Sequence, residues 1–316
     1  MFKKVFTTLS ASLVLLSLTS TSIQAKELEK PIYVEGADLN NEQAEETKDD
    51  LGVKSDFKKY TVSAEDVSQY TGGTYDYIHS SASIEPKKFG SGVDVNIKTP
   101  DNITRITEEQ YINASITSGI KDANVNIASI DKVSGEGALT GIYKSLEEEG
   151  IDVDEQDIQN ANKEMNDLAT INEEQKENGK DVNEPLNNAV ADMKEQVADK
   201  KMNGDDLSQE DVENIVDKTL ESKGLDNVIT DNQRNTLVNV IYNTSQSKAM
   251  NQDPESLKKQ ASDLKDKLSD KAKDLSDKAK DLNENKGIIQ NVIETIIDFF
   301  KNIVNTIIDF LKSLFG

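Results

Sequence analysis

Between Ile288 and Gly316 the apolar residues fall into two interleaved rows. Ile289, Ile293, Ile296, Phe300, Ile303, Ile307, Phe310 and Leu314 alternate in steps of four and three. At 3.6 residues per turn that spacing predicts one continuous apolar stripe along an α-helix spanning 287–316. A second row (Ile288, Val292, Ile297, Phe299, Val304, Ile308, Leu311 and Phe315) widens the stripe to about half the circumference. The opposite face holds Gln290, Asn291, Glu294, Asp298, Lys301, Asn305, Asp309 and Lys312. Such a helix must bury its stripe in lipid, in another copy, or against its own globular part.

Nearer the N-terminus the period changes. Pro31 to Val34, Phe57 to Val62, Ala82 to Glu85, Val93 to Lys98 and Asn124 to Ile130 alternate as strands. Helix starts fall between them at Asn40 with Gln43, at Ser63 with Asp66, and at Thr107 with Gln110. In each, a side-chain oxygen three positions upstream accepts a free amide of the first turn. Gly90-Ser-Gly92 predicts a hairpin joining the third and fourth strands. The phrase strand, capped helix, glycine stop, strand occurs twice, once ending the helix at Gly52 and once at Gly119. Residues 31–133 therefore read as an α+β domain, two such units sharing one antiparallel or mixed sheet.

Residues 134–250 read as a helical region. Starts fall at Gly135, Asp154, Ser208 and Thr230, and breaks at Gly179, Pro185, Gly204 and Gly224. Val212, Ile215, Val216, Thr219 and Leu220 form one packing stripe, and Leu237 to Tyr242 another. Residues 251–286 are a charged, low-complexity helix in which Leu268 to Asp274 repeats letter for letter as Leu275 to Asp281. Leucine alternating with alanine gives a thin seam, which reads as a solvated helical spacer or a weak coiled coil.

Residues 1–25 have the form of a signal peptide: Lys3 and Lys4, an apolar core from Ala11 to Leu18, and Ile23-Gln24-Ala25 as cleavage site. The apolar core is too short to span a bilayer. The expectation is a secreted, extracellular protein whose mature chain starts near Lys26, at the cell surface or peripheral to a membrane. With no cysteine in the sequence, disulfides, thiolate metal sites and thiol catalysis are excluded. The formal charge is −23, and losing Lys3 and Lys4 makes it −25. That charge opposes nucleic-acid binding. Apolar residues make up 35% and aromatics 5%, so one modest core with weakly packed helices is expected.

Gly36-Ala-Asp-Leu39, Ile116-Thr-Ser-Gly-Ile120-Lys-Asp-Ala123 and Val133-Ser-Gly-Glu-Gly-Ala-Leu-Thr-Gly141 resemble the YpuA-like secreted proteins of Gram-positive bacteria. The resemblance covers Tyr33 to Met165 best. It implies a shared fold and export, with an amphipathic tail as a family feature. Glu136 and Gly137 stand inside a Gly-Thr-Ala-Ala-Leu-Thr-Gly pattern associated with the group. The family's domain carries an unknown-function label, so the resemblance implies no site residues.

Candidate chemistry is sparse. His79 is the only histidine, and Ser80, Ser81 and Ser83 are too close in sequence for a triad; no Gly-x-Ser-x-Gly elbow exists. Gly135-Glu-Gly-Ala-Leu-Thr-Gly141 lacks the Gly-Lys-Ser/Thr ending of a phosphate loop, and Glu136 would repel phosphate. Its glycines are expected to let helix and sheet approach closely. Asp152-Val-Asp154-Glu-Gln-Asp157 starts like a calcium loop but has Asp157 at its sixth position and Lys163 at its twelfth. Tyr70, Tyr75 and Tyr77 form the one local aromatic cluster, beside Gly72 and Gly73.

The sequence therefore supports a secreted, non-enzymatic protein with no cofactor and no metal site. Its partner would be a membrane surface or a second copy, met through the C-terminal stripe. A transmembrane span does not fit, because no apolar run in that helix exceeds two residues. The competing readings are a self-assembling extracellular stalk and a carboxylate-based extracellular hydrolase in residues 31–165.

Overall fold

Five short stretches of alternating residues assemble into one sheet. The computed structural model describes residues 28–89 and 91–281; the expected signal peptide and the 287–316 helix with its eight stripe residues lie outside them. The strands are β1 (Ile32–Gly36), β2 (Lys58–Val62), β3 (Ser80–Pro86), β4 (Val93–Ile97) and β5 (Ala123–Ser129), in the order β2-β1-β3-β5-β4. The helices are α1 (Asn41–Leu51), α2 (Ala64–Thr71), α3 (Glu108–Ser118), α4 (Glu136–Glu148), α5 (Glu155–Glu177), α6 (Asn183–Met202), α7 (Gln209–Ser222), α8 (Asp231–Gln246), α9 (Lys248–Gln252) and α10 (Pro254–Asp281).

The twice-used phrase becomes two strand-helix-strand units. β1 and β2 pair in parallel around α1, β4 and β5 pair in parallel around α3, and β3 joins the units as the antiparallel centre. The sheet is mixed, and the architecture is an α+β domain followed by helices.

The expected hairpin around Gly92 is corrected. β3 and β4 do not pair, because β5 lies between them and bonds to both. Alternation fixes which face a residue occupies, but not which strand lies alongside. Seven pairs from Ser80–Ser129 to Pro86–Ala123 tie β3 to β5, and the loop at Gly92 is held instead by Asp122.

Ile32 and Val34, Ala82 and Ile84, Val125 and Ile127, and Val93 and Val95 share one face and its core, covered by α3 and α4. The other face is mainly polar. α1 covers part of it through a small cluster of Tyr33, Leu51 and Ala128. Gly137 and Gly141 let α4 lie against the sheet: a Cβ at 141 would stand 2.5 Å from Val34 Cγ1, and one at 137 would stand 2.9 Å from Ser80 Oγ. Close approach, not phosphate binding, is their role here.

Capping chemistry settles the helix starts. Full capping boxes form at Asn40, Ser63, Thr107, Ser208 and Thr230. Pro185 does not break a helix. It sits in the first turn of α6, where a missing N–H costs nothing.

One core runs through the sheet and the helices, from Ile32 to Leu268. The boundary drawn at 133/134 therefore separates sequence patterns, not cores. The spacer reading of 251–286 is also corrected over its first half. Leu257, Ala261, Leu264, Leu268 and Ala272 are all buried, chiefly against α6. The seam is thin, but ion pairs Lys258–Asp199, Lys265–Glu195 and Lys271–Glu184 flank it and specify its partner.

Candidate functional site

A cavity of about 390 Å³ opens where the ends of α3 and α4 meet the start of α5, the short α9 and the end of β3. Its floor is apolar, with Ile84, Ile120, Leu146, Ile151 and Val153, and Leu28 stands at its N-terminal side. The volume lies within the range of small-ligand sites.

The charged groups around it are each committed to a partner within the protein. Lys248 holds Asp152 at 2.8 Å, and Lys121 pairs with Asp253. Asp154 caps α5 by accepting the amides of Gln156 and Asp157. Asp157, itself buried, accepts the amides of Lys248 and Ala249 at 3.2 and 2.8 Å. Asp122 is the one non-glycine residue with positive φ, 48°, among the described residues. Its carboxylate accepts the Gly92 amide at 2.8 Å and its carbonyl accepts the Lys87 amide at 2.7 Å. The left-handed turn at 122 thus ties the α3–β5 connection to the β3–β4 loop.

Two of these carboxyls are pushed in opposite directions. Burial drives Asp157 above the usual aspartate range, and the two backbone amides only partly oppose it. Asp253 is also partly desolvated, but the Lys121 ammonium and the Ser256 amide outweigh that and hold it low. For Asp157 the folded state takes up a proton at higher pH than the unfolded chain. Its contribution to stability therefore grows as pH falls towards 3.8, the ordinary aspartate value. Asp157→Asn removes that gain. In urea titrations, the stability of the parent minus that of the variant is expected to be larger at about pH 4 than at about pH 7; an unchanged difference would contradict the assignment.

The arrangement suits binding of a compact, largely apolar group inside a ring of paired charges. Its polar residues lie from 87 to 253 and converge only in the fold, so sequence spacing gave no signal for them. The exception is the Asp152–Asp157 run, whose carboxylates take up the Lys248 ammonium, the first amides of α5 and the first amides of α9.

The other sequence candidates are dispersed. His79 Nδ1 lies 2.8 Å from Asp131 Oδ2, and its ring is 4.7 Å from that of Tyr77. Ser80 faces α4. Tyr70 donates to Glu147, while Tyr75 packs beside Gly73 and Tyr77 is exposed. The three tyrosines make separate contacts. Glu136 is held by Arg105 at 2.8 Å, and Arg105 reaches on to Asn166, Thr170 and Glu173 of α5. That bridge closes the start of α4.

Comparison with known proteins adds a family. A model described as "Protein of unknown function (DUF1002)" matches residues 35–264. The chain belongs to this family. The match begins in β1 and ends within α10, at the buried Leu264. The chain is also 32% identical over 240 residues to the "Uncharacterized protein YpuA" of Bacillus subtilis (strain 168), covering 74% of this chain and 78% of that protein. No solved structure matches. The YpuA-like resemblance is thereby established. Of the segments that carried it, 116–123 forms one wall of the large cavity and 133–141 seats α4 on the sheet.

Proposed function

We propose that this is a secreted, non-enzymatic protein held at a membrane surface through the apolar stripe of residues 287–316. One observation carries the reading. Among the described residues, the large apolar side chains left exposed are Tyr77, Phe89 and Met202, at 51%, 90% and 48%. They stand on three separate segments and make no face that could accept a stripe of eight isoleucine, leucine and phenylalanine residues. Burying each such side chain is worth about 1.5–3 kcal/mol, so the stripe favours an apolar phase outside this body.

Lipid is preferred over a second copy because the stripe covers about half the helix, wider than a coiled-coil seam, with the charges confined to the opposite side. Among the described residues no helix is long and apolar enough to cross a membrane. Attachment would therefore be peripheral, and nearly neutral charge on the helix makes it hydrophobic rather than electrostatic. In this reading the body presents its large cavity to small or partly apolar ligands, while residues beyond Ala272 lead to the anchor.

The test is substitution within the stripe. Ile296→Asp with Phe300→Asp places two charges at the centre of the buried face. The double variant is expected to stay in the supernatant when the mature protein is sedimented with phosphatidylcholine vesicles. Equal pelleting of parent and variant would rule out attachment through the stripe. A parent that stays in the supernatant as a multimer, broken by the same substitutions, would favour the self-assembling stalk.

A further inference from the structure

A second cavity, of about 190 Å³, lies where the start of β4 meets α10. Val93, Ile112 and Leu264, all buried core side chains, give it apolar walls. Gln260 also lines it and is only 3% exposed, yet neither its Nε2 nor its Oε1 has a hydrogen-bond partner. Buried amides are almost always paired, so one with both groups unmade needs an explanation.

The site is built around that side chain. Gly92 has φ of +77°, and a Cβ there would stand 3.2 Å from Gln260 Cγ, so the loop backbone closes over the glutamine stem. Lys87 at the rim is occupied by Asp94 at 2.7 Å and the Ser91 carbonyl at 2.9 Å. Asp263 and Lys267, one and two turns further along α10, are exposed at the mouth and make no ion pair with any described residue. The charges around the first cavity all have partners within the protein; here an amide, a carboxylate and an ammonium are uncommitted.

We propose that this cavity binds an extended peptide segment, with the Gln260 amide pairing to the N–H and C=O of one residue whose apolar side chain enters the cavity. In extended backbone the N–H and C=O of a single residue point to the same side, which is how antiparallel strands exchange paired bonds. A primary amide offers a matching acceptor and donor side by side. Asp263 and Lys267 then face the charged groups of the peptide on either side. The site is independent of the C-terminal stripe.

The test uses the mature full chain and N-acetyl-L-leucine dimethylamide, whose single N–H and the C=O of the same residue flank a leucine side chain. The side-chain amide signal of Gln260 in ¹⁵N–¹H spectra is expected to shift saturably on titration. The N-methylated form of the probe, lacking the donor, is expected to bind at least tenfold more weakly. Gln260→Leu should lose binding while its unfolding midpoint is no lower than the parent's, because an orphaned amide has been removed. Gln260→Glu, which keeps the shape and replaces the donor, should weaken binding at least tenfold. Absence of a saturable shift, equal binding of the two probes, or unchanged affinity in both variants would overturn the proposal. A Gln260→Leu midpoint below the parent's would overturn it too, showing an amide already satisfied by solvent.

Discussion

Lys194→Met is expected to destabilise the fold by about 3–5 kcal/mol, the effect of leaving one member of a buried ion pair alone. Lys194 and Glu164 are 0% and 1% exposed and 2.5 Å apart. They sit among α3, α5 and α6. The ammonium also donates to the Asn113 carbonyl at 2.7 Å, and the second carboxylate oxygen accepts from Thr117 at 2.5 Å. Burial pushes the lysine below its ordinary range, with Glu164 opposing that shift. Methionine matches the stem of the side chain but leaves Glu164 buried without its cation.

Adding Glu164→Gln removes the stranded charge and should restore roughly half the loss or more. A double-mutant cycle in urea measures both effects. Additive losses would mean that the two residues do not act as a pair.

The second large effect is expected at Gly36, the last residue of β1. A Cβ there would stand 2.4 Å from the Ile78 carbonyl oxygen and 3.0 Å from that of Ser80. The obstacles are backbone atoms and cannot rotate away. They are also pinned, because the Gly36 amide donates to Ser81 Oγ and the Ile78 amide donates to Asp38. Gly36→Ala should therefore cost about 3 kcal/mol, the upper end for overpacking a core. Gly52→Ala is the contrast. Its φ is +68° with nothing within 4 Å of the added carbon, so only backbone strain of about 1–2 kcal/mol applies. Thermal or urea denaturation of both variants gives the ratio, and equal losses would contradict the close-approach explanation.

Much of the fold was legible because local chemistry specifies it. Asn40, Ser63, Thr107, Ser208 and Thr230 each announce a helix start, and each forms its capping box. The repeated strand-helix-strand phrase likewise maps onto the two parallel units. What sequence did not show was pairing between distant segments. The β3–β4 hairpin failed because a glycine-rich loop looks the same whether its flanking strands touch or are separated by a third. The 251–286 segment looked solvated because leucine and alanine bury little, and the ion pairs of α10 to Asp199, Glu195 and Glu184 are not visible as a local pattern. α3 escaped as a central element for a related reason. Asn113, Ser115 and Thr117 are polar yet buried, and neighbouring helices and its own carbonyls accept from the Asn113 Nδ2 and from both hydroxyls.

The candidate sites were the least legible part. Lys87, Lys121, Asp152, Lys248 and Asp253 meet around one cavity from four regions of the chain, and the unpaired state of Gln260 is a property of packing alone. The apolar stripe is a purely local pattern of period, and it lies outside the described residues.

The most direct measurement is co-sedimentation of the protein lacking residues 1–25 with phosphatidylcholine vesicles, with and without residues 287–316, alongside light scattering for mass. Attachment through the stripe requires that the full chain pellets with vesicles and that the shortened chain remains a soluble monomer. A full chain that stays monomeric in the supernatant would contradict the account and leave the stripe to be buried within its own protein.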